Sequence, residues 1–374
     1  MSVGGSLRRL AAPPVRLAQR GVVRARTADW PDNSRLFAVG DLGGWSVDED
    51  AEHVAAASRR LGYRTGAPEW ARFAVRQSVF LTSHFDALHS RWLGSTHRLG
   101  TAYLHGRPGT PGVPEFDECF EALGRHADRI ARVQVTHGEM HELVVSAGVD
   151  PERVFRIPIG IDLEHFPLGD AAARASARSE LGLPSTAFVA GSFQKDGVGF
   201  GEGLAPKLVK GPDLLVAALE RLQAEIPELH VLLTGPARGY VRSELEQRSI
   251  PYRHVLVRTR GELGRAYCAL DVYLVPSRQE GGPKAVLEAM ASGVPLVTTR
   301  VGQAQEIVSD GRNGLLVDVD DPDALAAAAL RVHDDGALGA ALRAEGRTTA
   351  EGYALERLDQ QWGELLDGFV SHGD

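Results

Sequence analysis

The chain of 374 residues has few cysteines and no long apolar segment. Its two cysteines, Cys119 and Cys268, lie far apart and outside any CxxC pattern, which argues against a disulfide framework and against a zinc site. No apolar run approaches the ~20 residues that a membrane-spanning helix needs. We therefore expect a cytoplasmic protein, long enough for two domains of ordinary size.

Lysine is also scarce, because only four of the 41 basic side chains are lysines and the rest are arginines. Lys195, Lys207 and Lys210 fall within the glycine-rich stretch 191–211, and Lys284 lies downstream in EGGPKAVLE. A lysine ammonium is a compact point charge on a flexible stem, unlike the planar guanidinium of arginine. Solvated loop charge is one interpretation of Lys195 and Lys207.

Acidic residues are missing from the start of the chain. Residues 1–26 carry six arginines and no acid. The rest of the chain therefore has a net charge of −14, compared with −8 for the whole chain. That balance argues against a nucleic-acid-binding protein, and the basic start lacks the apolar core of a secretory signal. Both a peripheral contact with the inner face of an anionic membrane and a solvated basic tail are compatible with it.

Apolar runs alternate with helix-like stretches from about residue 35, which is typical of a parallel sheet covered by helices. We predict two Rossmann-like, doubly wound α/β domains that face each other across a cleft, with ligands at the carboxyl ends of the strands. The predicted divisions are a basic extension (1–34), a first domain (35–168), a second domain (186–350) and a C-terminal helix (351–374), for which packing against the first domain is an option.

The predicted strands are short. They are 35–40, 78–82, 100–105, 132–137 and 154–160 in the first domain, and 186–193, 230–235, 254–259, 271–277, 295–299 and 314–319 in the second. The polar, alanine-rich stretch 168–186 interrupts the alternation, and we place the junction of the two domains there.

The stretch VPSRQEGGPKAVLEAMASGVPLVTT (275–299) carries the most information. Pro283 suits the first position of a helix, and Gly293 suits the residue just after its end. Gly281 and Gly282 then bring exposed backbone to a helix N-terminus, where unpaired N–H groups and the helix dipole favour an anion.

This stretch resembles the E-x7-E signature of retaining, family 4 glycosyltransferases with the GT-B fold, with Glu280 and Glu288 as the two glutamates. Other segments that resemble the family are IPIGIDLEHF (157–166), VKGPDLLVAA (209–218) and VGQAQEIVSDGRNGLLVDVDDPDALAAA (301–328). The resemblance covers nearly all of 186–333, is weaker over 35–166 and is absent from 1–34. It implies transfer of a sugar from a nucleotide-diphosphate donor with retention of configuration, commonly in polysaccharide or glycoconjugate synthesis.

The resemblance also implies roles for single residues. Glu280 would bind sugar hydroxyls, Glu288 the ribose and Lys210 the pyrophosphate, where one preorganised donor contributes about 3 kcal/mol to catalysis. The other donor-binding candidates are Gly43, Gly44, Lys195, Lys207, Arg258, Gly281, Gly282, Pro283 and Lys284. The family implies no cofactor and no metal, with the departing phosphate taking the proton of a carbohydrate, lipid-linked or small-molecule acceptor.

The chain departs from the family pattern at two places. The family usually has Gly-Arg where this chain has Gly191 and Ser192, so an arginine is missing. We predict Lys195 as the replacement cation, with Lys207 as the second choice. Gln303 stands where a second glycine is common.

Histidines follow three predicted strands of the first domain, although a lone histidine is usually structural. The family's catalytic histidine lies at a strand end, which favours His105 in GTAYLHG, with His84 and His137 as alternatives. Gly43 and Gly44 resemble the family's glycine loop, but an ordinary strand-to-helix turn has the same pattern. The pair is not a GxGxxG sequence, which argues against an NAD enzyme.

Two other functions are open. A GT-B nucleotide-sugar-binding or scaffold protein without turnover is compatible with the arginine missing at Ser192. A GT-B epimerase or phosphorylase is the third interpretation, although no lysine lies in a context suited to pyridoxal phosphate. Sugar transfer or slow donor hydrolysis, measured beside nucleotide binding, separates the first two.

Overall fold

The computed structural model describes residues 13–41, 46–199 and 201–372. These residues form two compact units, each built on a parallel sheet. The first unit comprises Met1–Ile157 with Asp359–Asp374, and the second comprises Pro158–Leu358. The prediction of two α/β domains with parallel sheets is confirmed.

The first unit contains a five-stranded sheet whose strands follow the order of the chain. The strands are β1 (Leu36–Val39), β2 (Ser78–Leu81), β3 (Arg98–Ala102), β4 (Ile130–Val135) and β5 (Val154–Arg156). The helices are α1 (Pro13–Ala28), α2 (Ser46–Arg60), α3 (His84–Ala87), α4 (Ser90–Leu93), α5 (Pro114–Arg125) and α6 (Gly138–Ser146), with 3₁₀ turns at Pro68–Phe73, Ala127–Arg129 and Pro151–Arg153.

The second unit contains a six-stranded parallel sheet in the order β11-β10-β9-β6-β7-β8. Its strands are β6 (Phe188–Ser192), β7 (Leu229–Thr234), β8 (Tyr252–Val255), β9 (Val272–Val275), β10 (Leu296–Thr299) and β11 (Leu315–Val317). Its helices are α7 (Ala171–Leu181), α8 (Pro212–Glu225), α9 (Gly239–Gln247), α10 (Arg260–Cys268), α11 (Lys284–Ala291), α12 (Ala304–Ile307), α13 (Pro322–Asp334) and α14 (Gly336–Gly352), with 3₁₀ turns at Leu208–Lys210 and Leu355–Leu358.

The first unit ends earlier along the chain than the sequence predicts. Phe166, Ala177 and Leu183 lie in the hydrophobic core of the second unit, so the chain has already joined that unit before residue 168. The stretch 168–186, predicted as a break, contains the regular helix α7. Asp170 caps this helix by accepting from the backbone N–H of Ala173 at 2.7 Å.

One predicted strand is displaced. We expected a buried strand at 254–259, but β8 ends at Val255 and most of its residues are half-exposed. The reason is its position at the edge of the sheet, where it pairs with β7 alone. Arg258 therefore lies in the loop after the strand, with an exposed side chain.

The described part of the basic start, from Pro13 onward, lies in α1, in which Arg20, Arg24 and Arg26 are exposed. The guanidinium of Arg20 lies 5.2 Å from the ring centroid of Phe73, which attaches the helix to the first unit. Contact of this helix with a membrane stays a prediction. Among the residues that the structure describes, no helix is both long enough and apolar enough to cross a membrane.

The C-terminal segment covers one face of the first sheet. Its helix α15 (Asp359–Leu366) places Trp362 edge-on against Phe80 of β2, with ring centroids 5.8 Å apart. Ser78 Oγ donates to the carbonyl of Phe369 at 2.6 Å. Arg132 of β4 donates to a carbonyl of the same helix at 3.1 Å. The first unit is thus completed by the last residues of the chain.

Truncation of Trp362 tests this arrangement. Trp362→Ala should destabilise the first unit by about 3–5 kcal/mol, because it leaves a cavity between α15 and β2. Hydrogen exchange of the β2 and β3 amides should become faster, while the β6 and β9 amides of the second unit keep their rates. Gln360→Ala, an exposed change on the same helix, is the matched control. Unchanged exchange in β2 and β3 would show that α15 does not support the sheet.

Candidate functional site

The order of the second sheet indicates where a ligand binds. β6 and β9 are neighbours, and the chain leaves β6 in one direction (β7, β8) and β9 in the other (β10, β11). In open α/β sheets, ligands lie outside the carboxyl ends of the strands at such a reversal. The segments that follow β6 and β9 therefore flank the candidate site, and they contain Lys195, Lys210 and Glu280.

An ion pair joins two of the predicted site residues. Lys210 Nζ lies 2.5 Å from Glu280 Oε2, with the side chains 25% and 9% exposed, respectively. The other carboxylate oxygen, Oε1, accepts from Ser277 Oγ at 2.8 Å. The structure thus places one cation and one carboxylate side by side, at a point where both have some access to solvent.

Tight backbone geometry brings Lys210 to this position. The 3₁₀ turn Leu208–Lys210 ends at Gly211, which has φ +64°. A Cβ at Gly211 would lie 2.0 Å from the carbonyl oxygen of Pro276, so only glycine fits there. Gln194 Nε2 also donates to the carbonyl of Lys210 at 2.8 Å. The segments after β6 and β9 are therefore in direct contact.

The segment that carries Glu280 is held from behind by Gln303. The backbone N–H of Gln303 donates to the carbonyl of Gly281 at 2.8 Å. Its side-chain amide pairs with the backbone of Ile159, accepting from N–H at 2.7 Å and donating to the carbonyl at 3.0 Å. Gly302 has φ +49°, and a Cβ there would lie 2.3 Å from the carbonyl oxygen of Glu280. Gln303, a departure from the family pattern, therefore supports the loop.

The second glutamate, Glu288, is nearly buried. Helix α11 begins at Lys284, with Pro283 as its N-cap rather than its first residue as we predicted. Only 6% of the Glu288 side chain is exposed, and Oε1 lies 2.9 Å from Arg260 Nη1. Oε2 accepts from the Tyr267 hydroxyl at 2.9 Å. Burial and then the charge of Glu288 raise the pKa of Tyr267 well above its ordinary value, so that hydroxyl stays a donor.

The remaining donor-binding candidates differ in exposure. Lys207 and Arg258 are exposed, Gly281 is buried, and the half-exposed ones are Lys195, Gly282, Pro283 and Lys284. Arg258 follows the edge strand β8, which is two strands away from β6 and the reversal. Gly43 and Gly44 lie outside the described residues.

A buried arginine that the sequence analysis missed lies beside Ser192. Arg238 Nη1 donates to the Ser192 carbonyl at 2.6 Å. Arg238 Nη2 lies 3.0 Å from Asp196 Oδ2, and both side chains are 0% exposed. Burial raises the pKa of Asp196 and outweighs the nearby charge of Arg238, which acts to lower that pKa. The Arg238 guanidinium is buried against protein atoms, so it is not exposed for a ligand in place of the missing arginine. Replacement of that arginine by Lys195 stays a prediction.

The three candidate histidines of the first unit have different surroundings. His84 is buried and stacks on Tyr103 at 4.2 Å between ring centroids. Burial and then the neighbouring His105 lower the pKa of His84 well below its ordinary value. His137 is buried, with Nδ1 2.9 Å from Thr136 Oγ1. His105 is half-exposed and is therefore the most accessible of these three histidines.

Metal ligands are a separate question. Over 13–41, 46–199 and 201–372, no three His, Cys, Asp or Glu side chains are grouped in a way that could hold a metal ion. Metal-independent transfer stays a prediction.

Known proteins resemble this chain in sequence and in fold. The model of the family described as Glycosyl transferases group 1 matches residues 198–335, the part of the chain that contains Lys210 and Glu280. D-inositol 3-phosphate glycosyltransferase 1 of Catenulispora acidiphila is 32% identical over 320 residues, which cover 79% of this chain and 71% of that protein. D-inositol 3-phosphate glycosyltransferase of Xylanimonas cellulosilytica is 35% identical over 206 residues, 51% of this chain. The match spans 46% of that relative, about half its length.

Solved structures show the same fold. Anabaena Alr3699/HepE in complex with UDP and glucose superposes with a TM-score of 0.72 at 16% identity, covering 89% of this chain and 99% of that chain. Sucrose-phosphate synthase from Thermosynechococcus elongatus has a TM-score of 0.67 at 19% identity, covering 89% of this chain and 98% of that chain. The protein therefore has the GT-B fold and belongs to the glycosyl transferases group 1 family.

Proposed function

We propose that the protein is a retaining glycosyltransferase that moves a sugar from a nucleotide-diphosphate donor to a hydroxyl-bearing acceptor, in polysaccharide or glycoconjugate synthesis. The observation that carries this proposal is the ion pair of Lys210 and Glu280 at the reversal of the second sheet. In the reaction the acceptor oxygen bonds to the anomeric carbon, the bond from that carbon to the phosphate oxygen breaks, and the departing phosphate takes the acceptor's proton.

The pair suits both parts of such a donor. Lys210 would exchange Glu280 for the pyrophosphate, whose negative charge grows as the glycosidic bond breaks. Glu280 would then accept hydrogen bonds from the sugar hydroxyls while Ser277 still donates to its other oxygen. A cation and a carboxylate 2.5 Å apart therefore match adjoining phosphate and sugar groups.

We assign the ribose to Glu288, the second glutamate of the E-x7-E signature. Its carboxylate is already bound by Arg260 and Tyr267. Each carboxylate oxygen can accept a further hydrogen bond, so a ribose hydroxyl would bind Glu288 beside Arg260 or Tyr267. The neutral Tyr267 hydroxyl is the weaker of the two partners, since Arg260 brings a charge.

We assign the catalytic histidine to His105, because His84 and His137 are buried. The acceptor is a carbohydrate, a lipid-linked sugar or a small molecule. Two relatives are named after D-inositol 3-phosphate, which makes that compound the first acceptor to test. A similar structure is a complex with UDP and glucose, which makes UDP-sugars the first donors to test.

The proposal is tested by screening nucleotide-diphosphate sugars for thermal stabilisation and slow hydrolysis. A donor that binds the folded protein raises the melting temperature even without an acceptor. Stabilisation by a donor, together with sugar transfer or hydrolysis, is the expected result. Binding without turnover on any acceptor would favour a nucleotide-sugar-binding scaffold, and no binding of any nucleotide would contradict the proposal.

Neutralising Glu280 should have opposite effects on turnover and on product binding. In Glu280→Gln, sugar transfer should fall by about 100-fold or more, because the sugar loses a charged acceptor. Affinity for the bare nucleoside diphosphate should rise by about tenfold, because no carboxylate competes for Lys210. Rate assays and calorimetry measure the two effects. Glu345→Gln, which removes a half-exposed glutamate that pairs with Arg312 elsewhere in the second unit, is the control. Near-normal turnover in Glu280→Gln would rule out the sugar contact.

Removing single lysines should identify the phosphate-binding cation. Lys210→Ala should lower affinity for the nucleoside diphosphate by about 100-fold, because a preorganised charge is lost from the pyrophosphate. Lys207→Ala, three residues earlier and exposed, should have little effect and serves as the matched control. Calorimetric titration measures both affinities. Equal losses would mean that Lys210 is not the specific phosphate ligand.

A further inference from the structure

Arg278 lies in the segment between β9 and Glu280, and its side chain contacts two other parts of the second unit, residues 208–213 and Asp320. Nη1 and Nη2 donate to the two carboxylate oxygens of Asp213 at 2.8 and 2.7 Å. Nη1 also donates to the carbonyl of Leu208 at 2.8 Å, and Nε donates to Asp320 Oδ1 at 2.5 Å. The guanidinium therefore joins three segments that are distant in sequence.

These contacts surround the turn that carries Lys210. Leu208 is the first residue of that 3₁₀ turn, and Asp213 lies in the first turn of α8, just after it. The middle of the turn is held as well, because the backbone N–H groups of Arg278 and Gln279 donate to the carbonyl of Val209 at 2.9 and 3.1 Å. Arg278 and Gln279 thus bind residues before and after Lys210, whereas the ammonium of Lys210 pairs with Glu280.

Electrostatics favour a persistent contact. Partial burial acts to raise the pKa of Asp213, but the hydrogen bonds and charge of Arg278 outweigh it, so the pKa lies below its ordinary value. The same hydrogen bonds raise the pKa of Arg278. Both groups are therefore charged at neutral pH. An isolated surface ion pair contributes little, but a bidentate arginine within a network, 26% exposed, is the favourable exception.

We propose that Arg278 is a positioning residue for the phosphate site. It fixes the backbone of residues 208–210 so that the Lys210 ammonium lies beside Glu280, where the donor's diphosphate binds. A lysine side chain has a flexible stem, and its charge is preorganised only if its backbone is held. Arg278 therefore acts on diphosphate affinity through Lys210 without touching the ligand. This inference rests on the proposed function.

The chain offers a matched control. Arg221 of α8 pairs with Asp323 of α13, and both side chains are exposed. That pair joins α8 to α13. Arg278 contacts Asp213 in the first turn of α8 and Asp320, which lies two residues before α13 begins. Arg221 donates to Asp323 and to the carbonyl of Ala217, neither of which belongs to the Lys210 turn, so its loss reports only the loss of an arginine from this region.

The experiment measures calorimetric affinities for UDP and for uridine, which lacks the phosphates. Arg278→Gln should lower UDP affinity by about tenfold and leave uridine affinity unchanged. Arg278→Lys should restore part of the UDP affinity, and Arg221→Gln should match the wild type for both probes. Asp320→Asn leaves the contacts of Arg278 with Asp213 and Leu208 in place, so it should cause a smaller loss of UDP affinity. This variant tests the proposal if Arg278→Gln does not fold.

Energetic coupling between Arg278 and Lys210 distinguishes a positioning role of Arg278 from a general contribution of Arg278 to folding. In a double-mutant cycle, Arg278→Gln should cause no further loss of UDP affinity once Lys210 is alanine, because the two residues act as a unit. Additive losses, or equal losses for UDP and uridine, would overturn the inference. If the wild type binds no nucleoside diphosphate, the proposed function fails. If it binds UDP through Lys210 and Arg278→Gln has no effect, the inference alone fails.

Discussion

The ion pair between Lys210 and Glu280 constrains the two segments of the second unit that follow β6 and β9. Lys210 Nζ and Glu280 Oε2 lie 2.5 Å apart, so the backbones of the two segments that carry these residues must also lie close together. Glycine is needed at Gly211 and Gly302, where a Cβ would collide with the facing carbonyl oxygens. Gln303 binds the backbone of the Glu280 segment from behind, and Arg278 binds from within that segment to residues around Lys210. The charged pair has some access to solvent, so a ligand can replace either partner.

Arginine and lysine have different tasks in this chain. Several arginines are used to bind backbone carbonyls, as Arg178 does inside the second unit, where it donates to the carbonyls of Ser185, Ala187 and Ala269 at 3.0 Å each. Arg238 binds the carbonyl of Ser192 in the same way. A planar guanidinium with five N–H donors can satisfy several carbonyls at once, whereas an ammonium is a point charge that can change partners. The scarce lysines are accordingly found after β6 and β9, at the candidate site.

Much of the fold follows from short-range patterns. The alternation of apolar runs predicts the strands of both sheets apart from the displaced edge strand β8, because a buried parallel strand is apolar on both faces. The turn chemistry of EGGPK locates the start of α11 to within one residue. The edge strand β8 and the junction near residue 157 are less well predicted, because exposure and domain membership depend on which distant residues pack there.

Local spacing and residue type are sufficient to predict the parallel α/β architecture, the segment that carries Glu280, and Lys210 and His105 as candidates. The packing of distant segments brings Lys210 to Glu280 across 70 positions of chain and Arg238 to Ser192 across 46. It also buries Glu288, His84 and His137. Such pairings are set by strand order and by the packing of distant segments, and neither leaves a trace in the spacing of residues along the chain.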